Sequence, residues 1–280
     1  MGTPILKKEI LIPGKTSKMV LKAPAIAAKA RPGHFVMLRM SPSGERIPLT
    51  IADADAAKGE ITIVYLVLGK STALLEALNE GDEILDVCGP LGQPTKIEKL
   101  GKVICVGGGT GIAAMHHIAK GHSLVGNHVM AIIGARSKDL LLFENELKSF
   151  ANEVLISTDD GSYGHKGIVT ELLKNRLENE KVAEVVAVGP VPMMEAVANC
   201  TKQFNVPTTV SLNPIMVDGI GMCGACRVSV GGKTRFACVD GPEFNGHEVD
   251  FPELRRRLGA FKAQEKLSFD QYEEHQGHGK

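Results

Sequence analysis

The stretch from residue 99 to residue 209 alternates two kinds of segment, and this alternation restricts the possible folds more than any other feature of the chain. Apolar, β-branched runs such as KVICV and EVVAV are each followed by a segment with the apolar spacing of an amphipathic helix. Strands that alternate with helices pair in parallel, and the helices cover both faces of the sheet. We therefore predict a parallel-sheet domain over residues 99–209.

The flanking sequence has a different pattern. Residues 1–98 contain short strand-like runs separated by glycine, proline and polar turns, with a single leucine-rich helix in GKSTALLEALNEGD. Short strands at this spacing predict a small antiparallel β-barrel. Residues 210–250 carry a group of cysteines, and residues 251–280 form a charged tail that we expect to be an exposed helix. The predicted fold class is α/β plus β, in three domains.

Composition excludes several classes of function. Lys plus Arg and Asp plus Glu number 32 each, so no overall charge attracts nucleic acid or an anionic membrane. The chain has no Trp and three Tyr, which also disfavours a surface that stacks on bases. No apolar run is long enough to cross a bilayer, and the N-terminus lacks the apolar core of a signal peptide. The six cysteines then favour a reducing, cytoplasmic location over a disulfide framework.

The first strand of the alternating region runs into a glycine turn, VICVGGGTGIAAM. Gly109, Gly111 and Ala114 give the pattern G-x-G-x-x-A, in which glycine lets the backbone approach a pyrophosphate at the start of a helix. We predict that Gly109, Thr110 and Gly111 bind a dinucleotide, and a closely packed strand–helix turn is the alternative. The next strand is followed by Arg136 rather than by an acidic residue, which by the simplest rule favours NADP over NAD.

A further loop, DDGSYGHKG, follows the third strand of this region. Open parallel sheets bind ligands at the carboxyl ends of their strands. Asp159, Asp160 and Gly161 are therefore candidate dinucleotide-binding residues, with an ordinary glycine-rich loop as the alternative. In the helix after the glycine turn, His116 and His117 have the chemistry of metal ligands, but neighbouring helix positions face different directions, so we expect one to be buried and one exposed.

Cys223, Cys226 and Cys238 have the spacing C-x2-C-x11-C. Three thiols leave a fourth ligand to be found, because a structural zinc site and an iron–sulfur cluster both take four ligands. Plant-type [2Fe–2S] loops have the spacing C-x4-C-x2-C, and counting back from Cys223 places Asp218 where the first cysteine would stand. We predict that Asp218 and the three cysteines bind a [2Fe–2S] cluster. The alternatives are a zinc site completed by His247 or by an aspartate, such as Asp240, and a thioredoxin-like C-x-x-C.

These two sites imply a third cofactor. A nicotinamide exchanges two electrons as a hydride, an iron–sulfur cluster passes one electron at a time, and a flavin can divide the pair. The barrel is where we expect FAD. There, ERIPLTI supplies Arg46 and Thr50, and LGKST, residues 68–72, supplies backbone amides and hydroxyls at a helix start for a flavin pyrophosphate.

The order of these motifs resembles the ferredoxin–NADP reductase superfamily, and in particular its branch with a C-terminal [2Fe–2S] domain. The resemblance covers about residues 1–250 and follows RIPLTI, LGKST, CGPLG, GGGTGIAA, DDGSYG, VGPVPMM and the cysteine loop, in that order. It implies FAD on the barrel and NAD(H) on the second domain, with NADP(H) as the alternative. It also implies that the cluster relays electrons to a larger partner subunit.

Carried over by position, the resemblance implies that Thr50 lies beside the reactive edge of the flavin, as the single catalytic residue. The superfamily places an arginine three residues before this hydroxyl, but here Ile47 holds that position and Arg46 precedes it. The other predicted site residues are Arg46, Pro48, Leu49, Leu68, Gly69, Lys70, Ser71 and Thr72 for FAD, Gly109, Thr110, Gly111, Arg136, Asp159, Asp160, Gly161, Gly189 and Pro190 for the dinucleotide, and Asp218, Cys223, Cys226 and Cys238 for the metal.

Two groups within that branch are similar to the chain. One comprises the small subunits of electron-bifurcating, NADH-dependent ferredoxin:NADP oxidoreductases, whose larger flavin and iron–sulfur subunit meets ferredoxin and NADP. The other comprises the electron-transfer subunits of NAD-linked dihydroorotate dehydrogenases. Asp218 favours the first group, because the second is expected to have cysteine at that position. A non-enzyme alternative is a zinc-stabilised, NAD-binding redox sensor.

Overall fold

The computed structural model describes residues 2–277, which fold into two seven-stranded sheets and a two-stranded hairpin. The first sheet is antiparallel and almost closes on itself as a barrel, and the second is mainly parallel with helices on both faces. The predicted fold class, a β-barrel followed by a Rossmann-like domain and a small C-terminal domain, is confirmed.

The strands are β1 (Thr3–Ile12), β2 (Thr16–Lys22), β3 (Phe35–Arg39), β4 (Ile47–Asp55), β5 (Glu60–Leu66), β6 (Glu83–Ile84), β7 (Asp86–Leu91), β8 (Lys102–Gly108), β9 (His128–Ala135), β10 (Glu153–Thr158), β11 (His165–Lys166), β12 (Glu184–Val188), β13 (Thr208–Ser211), β14 (Arg227–Val230), β15 (Lys233–Phe236) and β16 (Glu243–Asn245). The helices are α1 (Pro24–Ala27), α2 (Lys70–Glu76), α3 (Gly111–Leu124), α4 (Glu144–Lys148), α5 (Val169–Asn179), α6 (Val191–Lys202), α7 (Phe251–Leu258) and α8 (Lys262–Gly277). Short 3-10 turns lie at Lys138–Leu140 and Gly246–Glu248.

The barrel sheet has the strand order β6-β1-β2-β5-β4-β3-β7. Successive side chains of a strand point to opposite faces of the sheet, so alternate residues fill the interior. In β3, Val36 and Leu38 point inward and join a buried core with Ile61 and Ile63 of β5. The residues between them point outward, and their surroundings matter for the candidate site described below.

The parallel sheet has the order β11-β10-β9-β8-β12-β13-β16, and only β16 is antiparallel to its neighbour. The chain enters at β8 in the middle, runs outward through β9 and β10, and then crosses to β12 on the other side of β8. One apolar core packs under α3 and α4, and a second packs under α5 and α6. Ligands bind open sheets at such a change of direction, at the carboxyl ends of the strands.

The barrel and the parallel-sheet domain meet along β4 and α3. Lys120 of α3 pairs with Asp53 of β4 at 3.1 Å, and Nδ1 of His117 lies 3.0 Å from the carbonyl oxygen of Ile51. His116 and His117 are both buried, so the prediction that one of them is exposed is wrong. Helix α3 is covered by its own sheet on one side and by the barrel on the other, and burial lowers the pKa of both imidazoles.

The segment after β13 is irregular until the β14–β15 hairpin. The hairpin turn, Gly231–Gly232, has positive φ angles of 58° and 73°, which is the conformation that favours glycine in a two-residue turn. Strand β16 then returns the chain to the edge of the parallel sheet. The cysteine segment is therefore attached to the large sheet on both sides.

Residues 251–277, in the predicted charged tail, form two helices. Phe251 and Leu254 of α7 are buried in the core of the parallel-sheet domain, and Arg255 pairs with Glu195 of α6. Helix α8 contacts α2 on the barrel. The apolar residues of α7 thus pack on the parallel-sheet domain, and the predicted domain limits stay predictions. Among residues 2–277, no helix combines the length and apolar character needed to span a bilayer.

Glu76 holds helix α2 on the barrel. Its carboxylate accepts hydrogen bonds from the buried hydroxyls of Tyr65 at 2.7 Å and Ser17 at 3.1 Å, and it pairs with Lys8 Nζ at 3.6 Å. Glu76→Ala leaves both hydroxyls without this partner, and we expect the free energy of unfolding, measured by urea denaturation, to fall by about 2–4 kcal/mol. Glu76→Gln keeps an acceptor oxygen and should lose less than half as much. Equal losses in the two variants would contradict this role.

Candidate cofactor clefts and cysteine loop

A cleft of about 800 Å³ lies at the carboxyl ends of β8, β9, β10 and β12, where the parallel sheet faces the barrel. Barrel residues 66–68 form part of the opposite wall. Its volume and its position are those of ligand sites in open parallel sheets. The predicted cofactor-binding residues that line this cleft are Leu68, Gly109, Thr110, Arg136, Asp159 and Pro190.

Close backbone packing requires glycine where the turn after β8 meets the turn after β12. A Cβ on Gly111 would lie 2.6 Å from the carbonyl oxygen of Val188 and 2.7 Å from the Cα of Gly189. A Cβ on Gly108 would lie 2.4 Å from Sδ of Met193. Gly111 and Gly189 therefore lie behind the cleft, and their contact brings the start of α3 against the ends of both strands.

The loop after β10 contributes one residue to the cleft, and two other predicted residues stabilise the conformation of the loop. Asp159 lines the cleft. Asp160 accepts a hydrogen bond from the N–H of Ser162 at 2.9 Å, and hydrogen bonding from Ser162 holds the pKa of the Asp160 carboxyl below its usual value. Gly161 follows with a φ angle of 77°. The predicted residues of this loop are thus close together, but they have different positions relative to the cleft.

The outer face of β3 and β4 is a second candidate surface. Phe35 lies opposite Thr50 and Met37 lies opposite Pro48, so these four side chains share one face of the sheet. Leu49 packs against the barrel core and points the other way. Thr50 is half-buried, and its hydroxyl makes no hydrogen bond to another residue in the part of the chain that the structure describes. A free hydroxyl on an apolar face suits contact with a planar ring that carries polar edge atoms.

Residues 68–72 form the turn that begins α2. The Thr72 hydroxyl accepts hydrogen bonds from the first two N–H groups of this turn at 3.0 and 3.2 Å, so it is used within the turn. Ser71 Oγ donates to Glu45 at 2.7 Å. The exposed side chain of Lys70 supplies the positive charge of this turn.

Arg46 lies in a separate cleft of about 610 Å³, at the end of the barrel that faces the cysteine loop. It shares this cleft with Arg39, Asp86, Cys88 and Asp218. Arg39 and Asp86 form an ion pair with an Nη2–Oδ2 distance of 2.5 Å. The structure therefore brings Arg46 towards a predicted metal ligand and not towards the larger cleft.

The loop before Cys223 folds around the carboxylate of Asp218. Its Oδ2 accepts a hydrogen bond from the N–H of Cys223 at 2.6 Å, and its Oδ1 accepts one from the N–H of Ile220 at 2.9 Å. The bond from Ile220, followed by those from Cys223, holds the pKa of Asp218 below its ordinary value. Gly219 and Gly221 have φ angles of 77° and 84°, which permit the tight turn. Asp218 and Cys223 consequently lie side by side.

Cys226 and Cys238 form a second close pair. Their Sγ atoms are 3.1 Å apart, and both side chains are buried. Burial, and then contact with Cys226, raises the pKa of the Cys238 thiol to about 12. A bound metal would deprotonate such thiols, because thiolates are its ligands. In the described range, 2–277, no three His, Cys, Asp or Glu side chains surround one metal-ion position, and the predicted ligands occur as two pairs.

The competing fourth ligands have partners elsewhere. Nε2 of His247 lies 2.9 Å from Oγ1 of Thr201 in α6, and the Asp240 carboxylate accepts a hydrogen bond from the N–H of Phe236 at 2.7 Å. Asp218 instead bonds directly to a predicted ligand residue. Three thiols and one carboxylate in two pairs fit a two-iron centre, in which each iron takes two protein ligands. A structural zinc ion would need all four ligands around one point.

Apolar side chains join the cysteine loop to the barrel. Phe35 and Met37, on the outer face of β3, pack with Cys226 and Cys238. A Cβ on Gly219 would lie 2.5 Å from Cγ of Met37, so the loop rests directly on this strand. Phe35 and Met37 were not among the site residues predicted from the sequence. The available signal was the uninterrupted apolar run FVML, which is typical of a strand buried on both faces.

Glu243 lies where the linker from the barrel crosses β16. Its Oε1 accepts a hydrogen bond from Thr95 Oγ1 at 2.7 Å. Burial raises the pKa of Glu243 to about 7 from a reference value of 4.5, and repulsion from Glu184 acts in the same direction. Between these values the folded protein binds more protons than the unfolded chain, so ionisation of Glu243 lowers stability as the pH rises.

Glu243→Gln removes this ionisation. Relative to wild type, we expect its free energy of unfolding to rise by about 2–3 kcal/mol between pH 5 and pH 8, as measured by urea denaturation at each pH. Glu248→Gln, at an exposed position, provides the matched control for the loss of one carboxylate. A constant difference between wild type and Glu243→Gln over this range would contradict the prediction.

Comparison with known proteins assigns the family. A family profile described as the iron–sulfur cluster binding domain of dihydroorotate dehydrogenase B matches residues 213–250. A Thermotoga maritima protein named dihydroorotate dehydrogenase B (NAD(+)), electron transfer subunit homolog is 49% identical over 252 residues, which cover 90% of this chain and 89% of that protein. The corresponding electron transfer subunit of Fusobacterium nucleatum is 33% identical over 255 residues, or 88% and 96% of the two chains. The chain belongs to the family of dihydroorotate dehydrogenase B electron-transfer subunits and their homologues.

Solved structures extend this family assignment. A chain from the structure of the NADH-dependent reduced ferredoxin-NADP oxidoreductase, described in terms of flavin-based electron bifurcation, is 45% identical, with 97% of this chain and 98% of that chain covered and a TM-score of 0.92. A ferredoxin NADP+ reductase from Neisseria gonorrhoeae is 16% identical and shares the fold, with a TM-score of 0.59 over 73% of this chain and 91% of that chain. The predicted membership of the ferredoxin–NADP reductase superfamily is confirmed, and so is a C-terminal iron–sulfur-binding domain.

Proposed function

We propose that the chain is the electron-transfer subunit of an electron-bifurcating NADH/ferredoxin:NADP oxidoreductase. In this role it exchanges reducing equivalents between NAD(H) and a larger flavin and iron–sulfur subunit, which meets ferredoxin and NADP. FAD supplies the conversion between hydride and single-electron transfer, and a [2Fe–2S] cluster supplies the single-electron exchange. Family membership and the similarity to an NADH-dependent reduced ferredoxin-NADP oxidoreductase chain support this reading.

The contact between Asp218 and Cys223 carries the proposal. The carboxylate lies 2.6 Å from the N–H of Cys223, in the loop that also leads to Cys226. A carboxylate at this ligand position favours the bifurcating group, because the dihydroorotate-type subunits are expected to have cysteine there. We assign Asp218 and Cys223 as one ligand pair, and Cys226 and Cys238 as the other.

The larger cleft is the proposed dinucleotide site. Thr110 offers a backbone N–H group at the start of α3, where a pyrophosphate would meet the positive end of the helix. Gly109, whose N–H donates to the carbonyl oxygen of Gly134 at 3.1 Å, would let the backbone approach the ligand. Asp159 and Pro190 complete the lining on either side. Arg136 supplies a cation that also suits a 2′-phosphate, so we propose NAD(H) as the main ligand and NADP(H) as the alternative.

The outer face of β3 and β4 is the proposed flavin site. Thr50 offers its hydroxyl to the reactive edge of the ring, and Pro48 and the neighbouring apolar residues provide a flat contact. In the turn formed by residues 68–72, Lys70 and Ser71 offer N–H groups and Lys70 its charge to the pyrophosphate, whereas the N–H groups of Leu68 and Gly69 are bonded to Thr72. The cysteine loop packs on the same face through Met37.

A second candidate function is electron transfer for an NAD-linked dihydroorotate dehydrogenase. The observation that favours it is the profile match over residues 213–250, together with the named activity of the relatives. The two functions share the cofactor sites of this chain and differ in the partner subunit.

Purification of the native complex tests the proposal. We expect a larger polypeptide with its own flavin and iron–sulfur centres to co-purify, and we expect the complex to reduce NADP with NADH plus reduced ferredoxin. A dihydroorotate-oxidising subunit in its place would establish the second candidate. A chain that contains neither flavin nor iron would contradict both functions.

A further inference from the structure

Two arginines hold the backbone of the loop between the first two cysteines of the group. Arg227 Nη1 donates to the carbonyl oxygen of Gly224 at 3.0 Å, and Arg257 Nη2 donates to the carbonyl oxygen of Ala225 at 3.1 Å. These are the two carbonyl groups that lie between the cysteines in sequence. Guanidinium groups stay protonated in proteins, so the loop carries two permanent positive charges.

Arg257 reaches this loop from a distant part of the chain. It lies on α7, outside the segment matched by the cluster-binding profile, and it is half-buried. The helix is fixed in place because Phe251 and Leu254 are buried in the core of the parallel-sheet domain. At its start, the N–H of Asp250 donates to the carbonyl oxygen of Ser229 at 2.9 Å. The charged side chain of Arg257 is therefore held on a packed helix and hydrogen-bonded to the cysteine loop. Arg227, in contrast, is exposed and bonds to a carbonyl group three residues before it in the sequence.

We propose that Arg257 is a positioning residue that orients the cysteine loop and stabilises the reduced state of the iron–sulfur centre. The inference rests on the proposed function. The four ligands carry one negative charge each, and one-electron reduction adds another negative charge to the site. A guanidinium bonded to the loop interacts more favourably with the more negative state, so it raises the reduction potential. The planar guanidinium group of Arg257 also restricts the position of the loop more than the flexible ammonium group of a lysine would.

The neighbouring arginine provides a matched control. Arg256 lies on the same helix and carries the same charge, but its side chain is exposed and forms no hydrogen bond or ion pair with another residue of the described range. Neutralising Arg256 changes the net charge as much as neutralising Arg257 does. Only the substitution of Arg257 removes a contact with the cysteine loop.

The test is an anaerobic redox titration of the intact protein, followed by electron paramagnetic resonance of the iron–sulfur centre. For Arg257→Gln we expect a more negative reduction potential of the centre. At a fixed solution potential, the ratio of reduced to oxidised centre should then fall about three- to tenfold. A tenfold fall corresponds to about 59 mV for one electron. Arg257→Lys keeps the positive charge but loses the planar guanidinium geometry, and its ratio of reduced to oxidised centre should fall about twofold. Arg256→Gln should match wild type.

The outcomes separate the possible failures. An unchanged potential in Arg257→Gln overturns the proposal, and so does an equal shift in Arg256→Gln, which would assign the effect to net charge alone. If Arg257→Gln does not retain iron, a wild-type potential in iron-loaded Arg257→Lys overturns it. A wild-type protein without an iron–thiolate signal contradicts the proposed function itself and not this inference alone.

Discussion

Asp218→Ala is expected to lose most of the bound iron, whereas Asp218→Cys should keep the centre and change its spectrum. Alanine removes the proposed metal ligand and also the acceptor for the N–H groups of Cys223 and Ile220. Removal of a residue that only hydrogen-bonds to a metal ligand already lowers metal affinity about 10–100-fold. We expect the loss of a direct ligand to lower it further. Cysteine restores a ligand of the same charge. The measurements are iron and sulfide per chain, and the electron paramagnetic resonance spectrum of the reduced protein.

Asp240 and His247 provide the controls for this experiment. Both were candidate ligands, and both have partners elsewhere in the structure, the N–H of Phe236 and the Thr201 hydroxyl respectively. Asp240→Asn and His247→Gln should retain wild-type iron and an unchanged spectrum. Full iron content in Asp218→Ala, with loss in either control, would show that the ligand assignment is wrong.

Gly111→Ala is expected to weaken NADH binding about 10- to 100-fold. The added Cβ would stand 2.6 Å from the carbonyl oxygen of Val188 and 2.7 Å from the Cα of Gly189, and backbone atoms cannot move aside as a flexible side chain can. Overpacking of this kind costs about 1–3 kcal/mol, and 1.4 kcal/mol is a tenfold change in Kd. The displaced part is the start of α3, where Gly109 and Thr110 meet the proposed pyrophosphate.

The measurement is the Kd of NADH, from quenching of flavin fluorescence or from calorimetry. Gly259→Ala is the matched control, because a Cβ there would come no closer than 3.4 Å to another atom and the residue lies at the end of α7. It should bind NADH like wild type. Wild-type affinity in Gly111→Ala would contradict the assignment of this turn to the dinucleotide.

The order and type of the domains could be predicted from the sequence because they depend on local periodicity. KVICV and EVVAV show a buried strand without any knowledge of their neighbours. The glycine turn was also recognisable, but the reason for each glycine was not. Gly109 lines the cleft, while Gly111 is required by its contact with Val188 on another strand. A motif shows that glycine is needed and does not distinguish ligand approach from backbone packing.

Contacts between distant elements could not be predicted. His117 is buried against the barrel, with Nδ1 3.0 Å from the carbonyl oxygen of Ile51, and His116 is buried against the rings of Phe143 and Phe150. No periodicity within the helix encodes these contacts. Phe251 and Leu254 anchor a helix that its charge pattern marks as exposed. In both cases tertiary packing overrides the local pattern.

The candidate metal site also combines features that depend on local sequence with contacts between distant elements. Asp218 could be predicted because the ligand spacing C-x4-C-x2-C is a local property of one loop, and the structure places its carboxylate against Cys223. Met37 and Arg257 could not be predicted, because they approach the loop from β3 and α7. Candidate ligands could therefore be proposed from the sequence alone, whereas the side chains that surround them required the fold.

The most direct measurement is the metal and flavin content of the purified wild-type protein. We predict about two iron atoms, two acid-labile sulfides and one FAD per chain, with a visible absorption band from iron–thiolate bonds. A colourless protein that contains zinc in place of iron, or a protein without flavin, would contradict the proposal that this chain transfers electrons between a nicotinamide and an iron–sulfur centre.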